Sequence, residues 1–307
     1  MLSTERNLGL LKDIETWPDD AILSALVDGQ ERAIAAVRAA IPQISKAAEA
    51  LAENLRNGGK LYYAGAGTSI RVGVQDGSEL PATFNMSDEK IGYLIAGGRA
   101  AMFETLADAE DDADEGFRAG SGLSGNDTVI AIAASGTTPY TVGAARGARE
   151  KGATVIAVVN NANSPLAAAA TFEIFLNTGA EVISGSTRMG AGTAQKATLN
   201  LLSTLAHLKL GAVYGGMMVN VQADNIKLKK RARGIVTEVT GVTETDAVKA
   251  LEISGGEVKP AILLCAGVSS IDDARQKLLA SKGNLRVALE GLNVKEWTSN
   301  KSKGRRV

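Results

Sequence analysis

The stretch Lys60–Phe84, KLYYAGAGTSIRVGVQDGSELPATF, does most to limit what this chain can become. A short apolar run, Leu61 to Ala64, reads as a buried strand and empties into Gly65-Ala66-Gly67-Thr68-Ser69 before a second apolar run begins. Strand, glycine turn and helix start follow one another. Unpaired N–H groups at such a helix N-terminus attract an anion, and Thr68 and Ser69 add uncharged hydroxyl donors. The turn suits a phosphate. It matches neither standard nucleotide fingerprint, because position 70 is Ile where GxGxxG requires Gly and no GK[ST] follows. A smaller phosphorylated ligand is therefore favoured over a nucleotide. Beyond Ser69, Glu79 precedes Leu80 and Pro81 and puts a carboxylate close in chain to a group held at the turn.

The same order recurs further on. Thr128 to Ala134 reads as a buried strand, and ASGTTPY at 134 to 140 supplies Ser135, Gly136, Thr137 and Thr138 before a helix that starts near Pro139. A third polar, glycine-rich loop, EVISGSTRMGAGTAQ at 181 to 195, carries Ser186 and Arg188 and leads into a helix over 196 to 210. Further apolar runs at Ile91 to Ala96, Val155 to Val159 and Phe172 to Leu176 read as strands, with helical stretches between them. Strands alternating with helices imply parallel pairing and right-handed crossovers. The fold class is thus α/β with a doubly wound parallel sheet, and ligands bind such sheets at the carboxyl ends of the strands.

Helical periodicity precedes the first strand. One helix begins near Ala21 after Pro18, the pattern from Glu31 to Leu55 is broken at Pro42, and Gly58-Gly59 stops it. Between the second and third strands a helical stretch from Ala100 to about Phe117 carries Glu110-Asp111-Asp112. Beyond Ile226 the composition changes. KLKKRAR at 227 to 233 reads as the solvated face of a helix, and three amphipathic helices follow near Ala232 to Thr240, Thr245 to Ser254 and Ile271 to Leu279. The expected division is an N-terminal helical segment over 1–58, a phosphate-binding α/β domain over 59–225 and a small C-terminal helical subdomain over 226–307.

Several functions are excluded by what the chain lacks. A net charge of −1 gives no basic footprint for nucleic acid, and the basic tail Lys301 to Arg306 reads as a solvated end. No apolar run is long enough to span a bilayer, and the mixed, polar residues 1 to 19 carry no signal-peptide pattern, so a cytoplasmic location is expected. Cys265 and His207 are the single cysteine and the single histidine. They allow no internal disulfide, no His/Cys metal site and no Ser-His-Asp triad. Cys265, inside an apolar run, reads as a buried inert thiol and His207 as an ordinary helix side chain. Carboxylates, lysines or hydroxyls must do the chemistry.

GAGTS at 65 to 69, Glu79-x-Pro81 with Thr83, IAGG at 95 to 98, AED at 109 to 111, ASGTTPY at 134 to 140, and GSTRM with AGTAQK at 185 to 196 together resemble the N-acetylmuramic acid 6-phosphate etherase family. The likeness runs from about Thr4 through the C-terminal helices. It implies the sugar isomerase fold, a homodimer, and cleavage of the ether joining D-lactate to a sugar 6-phosphate, without metal or organic cofactor. By matched motif, Glu79 falls on the family's proton donor and Glu110 on its second catalytic carboxylate. The resemblance and the loops together mark Gly67, Thr68, Ser69, Ser135, Gly136, Thr137, Thr138, Ser186 and Arg188 as phosphate and substrate contacts. Such an elimination needs a base for the proton beside the opened sugar's aldehyde and an acid for the departing ether oxygen. The apolar Leu80-Pro81 beside Glu79 is a setting that could keep an acid protonated.

Three positions depart from the family pattern. Ile70 stands where glycine is usual after GAGTS and predicts a narrower pocket at the helix start. Thr137 replaces the usual Arg and Gly190 the usual Lys, leaving Arg71 and Arg188 as the cations near an anionic substrate. Two other readings share the phosphate loops: an aldose-ketose phosphosugar isomerase, and a sugar-phosphate sensor without catalysis.

Overall fold

The computed structural model describes residues 2–5, 11, 13–104, 106, 108–221 and 226–292. The tail that the sequence marks as basic, Lys301 to Arg306, lies outside them. The chain forms two compact units, the first of residues up to Glu79 with Ser87–Ala206, the second of Leu80–Met86 with the described residues from His207 on.

In the first unit two helices, α1 (Asp19–Ala39) and α2 (Ile41–Arg56), meet at Ala40, and Pro42 occupies the first turn of α2, where its missing N–H costs nothing. Strand β1 (Leu61–Gly65) feeds α3 (Gly67–Phe84), whose last turn belongs to the second unit. There follow β2 (Ile91–Ile95), α4 (Ala113–Gly120), β3 (Thr128–Ala133), α5 (Pro139–Glu150), β4 (Thr154–Val159), α6 (Pro165–Ala169), β5 (Phe172–Phe175) and α7 (Gly190–Lys209). All five strands pair in parallel, in the order β2-β1-β3-β4-β5. The expected doubly wound sheet is present, and each strand that the apolar runs mark falls within a residue or two of its place.

Both faces of the central strands are buried, as parallel strands require. Val129, Ala131 and Ala133 of β3 pack with Val155, Ala157 and Val159 of β4 against Val142, Ala145 and Ala148 of α5. Residues of opposite parity, Tyr63, Ile130, Ile132, Ile156 and Val158, are equally inaccessible on the other face.

The segment between β2 and β3 corrects the sequence reading. A single helix over 100–117 does not form. Short 3-10 turns cover Arg99–Met102 and Ala109–Asp111, and α4 starts only at Ala113, with the Asp112 carboxylate accepting from Glu115 N at 2.8 Å. Asp112 is a helix cap rather than an interior residue, in keeping with the preference of Asp for that position. Once begun, α4 approaches α5 backbone to backbone. A β-carbon at Gly116 would stand 2.0 Å from Tyr140 O, at Gly120 2.0 Å from Ala144 O, at Gly143 2.2 Å from Ala113 O, and at Gly147 2.2 Å from Phe117 O. Nothing larger than glycine fits at these four positions.

The second unit contains the hairpin β6 (Val213–Tyr214) and β7 (Met217–Met218), then α8 (Ile226–Thr240), α9 (Glu244–Ile253), α10 (Val258–Cys265), α11 (Ile271–Ala280) and α12 (Leu285–Ala288). Its core joins Ile235, Val236 and Val239 of α8, Ala247 and Leu251 of α9, and Ala261, Ile262 and Leu263 of α10. The apolar run around Cys265 is therefore largely a helix, α10, which the sequence reading leaves unassigned. Cys265 is only partly buried, with its thiol pushed up by desolvation and by Asp246, as an unreactive side chain requires. His207 is 4% exposed and stacks on Phe84 at 4.4 Å, a packed side chain.

Candidate active site at the carboxyl edge of the sheet

The order β2-β1-β3 places the switch point of the sheet between β1 and β3, from which the chain leaves in opposite directions. The two hydroxyl loops named from sequence are the loops that follow these strands. After β1, Gly67 takes φ +52°, and the first backbone bond of α3 runs from Ile70 N to Ala66 O at 3.3 Å. The amides of Thr68 and Ser69 precede that bond, at the positive end of an 18-residue helix. Thr68 and Ser69 are part exposed. After β3, the Ser135 hydroxyl accepts from Thr137 N at 3.1 Å and Gly136 takes φ +69°. A β-carbon at Gly136 would overlap the Ser164 hydroxyl at 2.3 Å, so glycine is needed there for space as well as for conformation. Thr138 is the residue before α5, and Thr137 is exposed.

Ile70 does not narrow this edge. Its side chain is 1% exposed, turned inward beneath the helix start, where a β-carbon at Gly65 would touch its own at 3.4 Å. A branched residue at position 70 fills core rather than cavity.

The third loop adjoins the first. A β-carbon at Gly192 would sit 3.4 Å from the Thr68 methyl, which brings the first turn of α7 beside the first turn of α3. The N-terminus of α7 is already occupied by an internal anion. Both oxygens of the Glu181 carboxylate, 5% exposed, accept from the amides of Gly190 and Ala191 at 2.9 Å each. An external phosphate cannot take those two donors. Ser186 is part exposed and Arg188 exposed, upstream of the capped turn.

Glu110 belongs to the same edge. It is exposed on the 3-10 turn Ala109–Asp111, which packs on α5. A β-carbon at Gly97, just past β2, would touch Leu106 at 2.9 Å and Ala109 at 3.1 Å, so the chain carrying Glu110 folds back over the end of β2. Arg71 Nη2 donates to Ala101 O at 3.2 Å and ties this segment to the first turns of α3. Nearby, the Tyr140 phenol is pushed up to about 12 by burial and by the negative charges of Glu115 and Asp112. It stays protonated at any physiological pH.

Glu79 is placed differently. It is exposed and lies on α3 twelve residues beyond Gly67, about 18 Å along the axis at 1.5 Å per residue. Within one chain, the two carboxylates do not share the start of α3.

Several supporting side chains escaped the sequence reading. Asp76, 4% exposed, accepts from Tyr63 Oη at 2.6 Å, Asn200 Nδ2 at 2.6 Å and Ser203 Oγ at 3.1 Å. Desolvation, with Asp76 adding to it, holds the Tyr63 phenol well above the ordinary tyrosine range. Asn160, fully buried at the end of β4, donates to Leu176 O and Thr178 Oγ1 and accepts from Gln195 Nε2 at 3.0 Å. Asn161 Nδ2 donates to Ala134 O at 2.9 Å and steadies the second loop. An Asn pair directly after the apolar strand VIAVV is the signal that could have marked them. Among the described residues, no group of three or more His, Cys, Asp and Glu side chains is arranged to hold a metal ion, and no helix is long and apolar enough to cross a membrane.

Comparison with known proteins finds relatives over most of the chain. A family model described as SIS domain matches residues 28–160. N-acetylmuramic acid 6-phosphate etherase of Streptomyces avermitilis is 44% identical over 94% of this chain and 93% of its own length. The protein of that name from Deinococcus radiodurans is 44% identical over 90% of this chain and 92% of its own. That of Yersinia pestis (strain Pestoides F) is 43% identical over 94% and 98%. Among solved structures, a phosphoheptose isomerase from Francisella tularensis covers 61% of this chain and 95% of its own at 19% identity and a TM-score of 0.45.

Proposed function

We propose, from the premise that this chain belongs to the N-acetylmuramic acid 6-phosphate etherase family, that it is a carbon–oxygen lyase cleaving the lactyl ether of N-acetylmuramic acid 6-phosphate to N-acetylglucosamine 6-phosphate and D-lactate. The observation that supports this reading most is the convergence at one sheet edge of the starts of α3 and α5 with the segment carrying Glu110. Thr68, Ser69 and Gly67 hold the phosphate with amides and hydroxyls, joined by Ser135, Gly136, Thr137 and Thr138 from the second loop. Ser186 and Arg188 complete the contacts, with Arg188 a cation for the lactyl carboxylate.

In the reaction, Glu110 takes the proton from C2 of the opened sugar. The electron pair left on C2 forms the C2–C3 double bond as the C3–O bond to lactate breaks, and Glu79 donates a proton to the leaving oxygen. Water then adds at C3 of the unsaturated aldehyde and a proton returns to C2. Each carboxyl contributes roughly two to four orders of magnitude in rate.

The 18-residue length of α3 favours a site shared between two copies. A phosphate at its start is about 18 Å from the Glu79 of that same helix, farther than a monosaccharide phosphate reaches. A homodimer in which each site takes Glu79 from the second copy resolves this. The enzyme acts in the cytoplasm, in recycling of cell-wall sugar, and a single cysteine fits a reducing compartment. No resident metal or organic cofactor enters the scheme.

The test is incubation with N-acetylmuramic acid 6-phosphate in deuterated water. Free D-lactate and deuterium at C2 of the product are expected. A ketose phosphate with no released acid would instead make the protein an isomerase, and no turnover with ligand bound would make it a sensor.

A further inference from the structure

One concavity shares no lining residue with this chemistry. It lies in the second unit, about 740 Å³, between the outer faces of α8 and α9. Ile226, Lys229, Lys230 and Arg233 recur at the three- and four-residue spacing of one helix face, and Val248, Leu251 and Glu252 do the same opposite them. Gly255 and Gly256, at φ +67° and +89°, close the end.

Its charge is lopsided. Three cations face one lining carboxylate, and of the three only Arg233 is paired, with Glu244 at 2.6 Å. Lys229 and Lys230 have no hydrogen-bond or ion-pair partner among the described residues, and both are exposed. They also sit where a helix least welcomes them. Lys227, Lys229, Lys230 and Arg231 crowd the first two turns of α8, at its positive dipole end, with no acidic residue in the first turn. An anion lodged there would meet the two lysines and the dipole at once. Beneath the charges the wall is apolar, formed by Val248 and Leu251, and Ile226 stands 89% exposed at the lip. A bare inorganic anion would leave that wall wet.

We infer that the α8/α9 groove is a second ligand site, for a small soluble amphiphilic anion: one carboxylate, sulfonate or phosphate group on an apolar body. The volume lies within the roughly 300 to 1,000 Å³ of small-molecule sites. The negative group meets Lys229 and Lys230, and the body covers Val248 and Leu251. The inference is independent of the reaction proposed above, since none of its residues belongs to that machinery.

The probe is 8-anilinonaphthalene-1-sulfonate, titrated into the full chain and followed by fluorescence. Saturable binding is expected, weakened tenfold or more by the double substitution Lys229→Glu with Lys230→Glu. The control, Lys227→Glu with Arg231→Glu, removes equal charge from the same turns outside the groove lining, and its binding should stay within twofold of the parent. Should the first pair fail to fold by circular dichroism, Lys229→Gln with Lys230→Gln is measured instead. Absence of saturable binding, or equal loss in both pairs, overturns the proposal. So does retention only by phosphatidylglycerol vesicles, which would make the groove a lipid contact.

Discussion

Asp76 and Tyr63 are joined by a 2.6 Å hydrogen bond in the interior of the first unit, where α3 crosses β1. The same carboxylate takes donors from Asn200 and Ser203 of α7, so one buried charge holds three elements. Asp76→Ala would take the acceptor from the buried Tyr63 hydroxyl, at about 1 to 3 kcal/mol, and remove one bond each from the part-exposed Asn200 and from Ser203, which keeps Asn200 O as a second acceptor. A loss of about 4 kcal/mol is expected, and Tyr63→Phe should lose about half that. Urea unfolding with an unchanged slope measures both. A change under 1 kcal/mol for Asp76→Ala would show the network to be idle.

Glu181 fills the N-terminus of α7 with two 2.9 Å bonds. Removing it exposes two buried amides and a helix dipole to nothing, so Glu181→Ala is expected to cost about 3 kcal/mol. Glu181→Gln keeps one acceptor oxygen and should cost less. Thermal unfolding followed by circular dichroism distinguishes the two, and equal melting temperatures for parent and alanine variant would refute the capping role.

Lys259 is 8% exposed and donates to Gly283 O at 2.8 Å, with its pKa lowered by desolvation to about 8. A base whose folded pKa lies below its unfolded value of 10.5 burdens the fold while it is charged in both states, below pH 8. Between pH 8 and 10.5 the unfolded chain binds the extra proton, so stability rises with pH. Relative to Lys259→Met, the parent should gain about 2 kcal/mol between pH 7.5 and 9.5, at 1.36 kcal/mol per pH unit above the folded pKa. The neutral amine still donates to Gly283. A flat difference across that window would mean the lysine titrates normally.

For catalysis, Glu79→Gln and Glu110→Gln should each lower lactate release by about 10² to 10⁴ without moving the melting temperature. Wild-type turnover in either variant would remove that residue from its role.

Mixing separates a shared site from a self-contained one. Ser69→Arg is expected to block the proposed phosphate turn and Glu79→Gln to remove the proposed acid, each inactive alone. If every site takes Glu79 from the second copy, random pairing after refolding together restores one intact site in each mixed dimer, about a quarter of parental activity. No recovery would place both groups on one chain.

The strands were legible because parallel strands buried on both faces read as continuous apolar runs, such as TVIAIA and TVIAVV. The two hydroxyl loops were legible for a related reason: glycines at positive φ directly after such runs leave few alternatives. What stayed hidden depends on contacts across sequence. Glu181 reads as one polar residue among many until the start of α7 folds onto it, and Asp76 as a surface helix residue until Tyr63 and Asn200 arrive. The stretch 100–117 misled for the opposite reason. Its composition suits a helix, but Gly97 and Gly98 turn the chain back over β2, and Asp112 offers a cap that restarts it at Ala113.

Four glycines between α4 and α5 carry one more implication. Each faces a particular carbonyl at a separation no side chain tolerates, so the pair has a single register, and sliding by one residue would drive Phe117 or Ala144 into main chain. The turn bearing Glu110 and the turn bearing Ser135 to Thr138 lead into these two helices. Their spacing is thereby fixed by backbone packing alone, like the jaws of a clamp locked in advance, so the proposed site would meet its ligand as a fixed gauge.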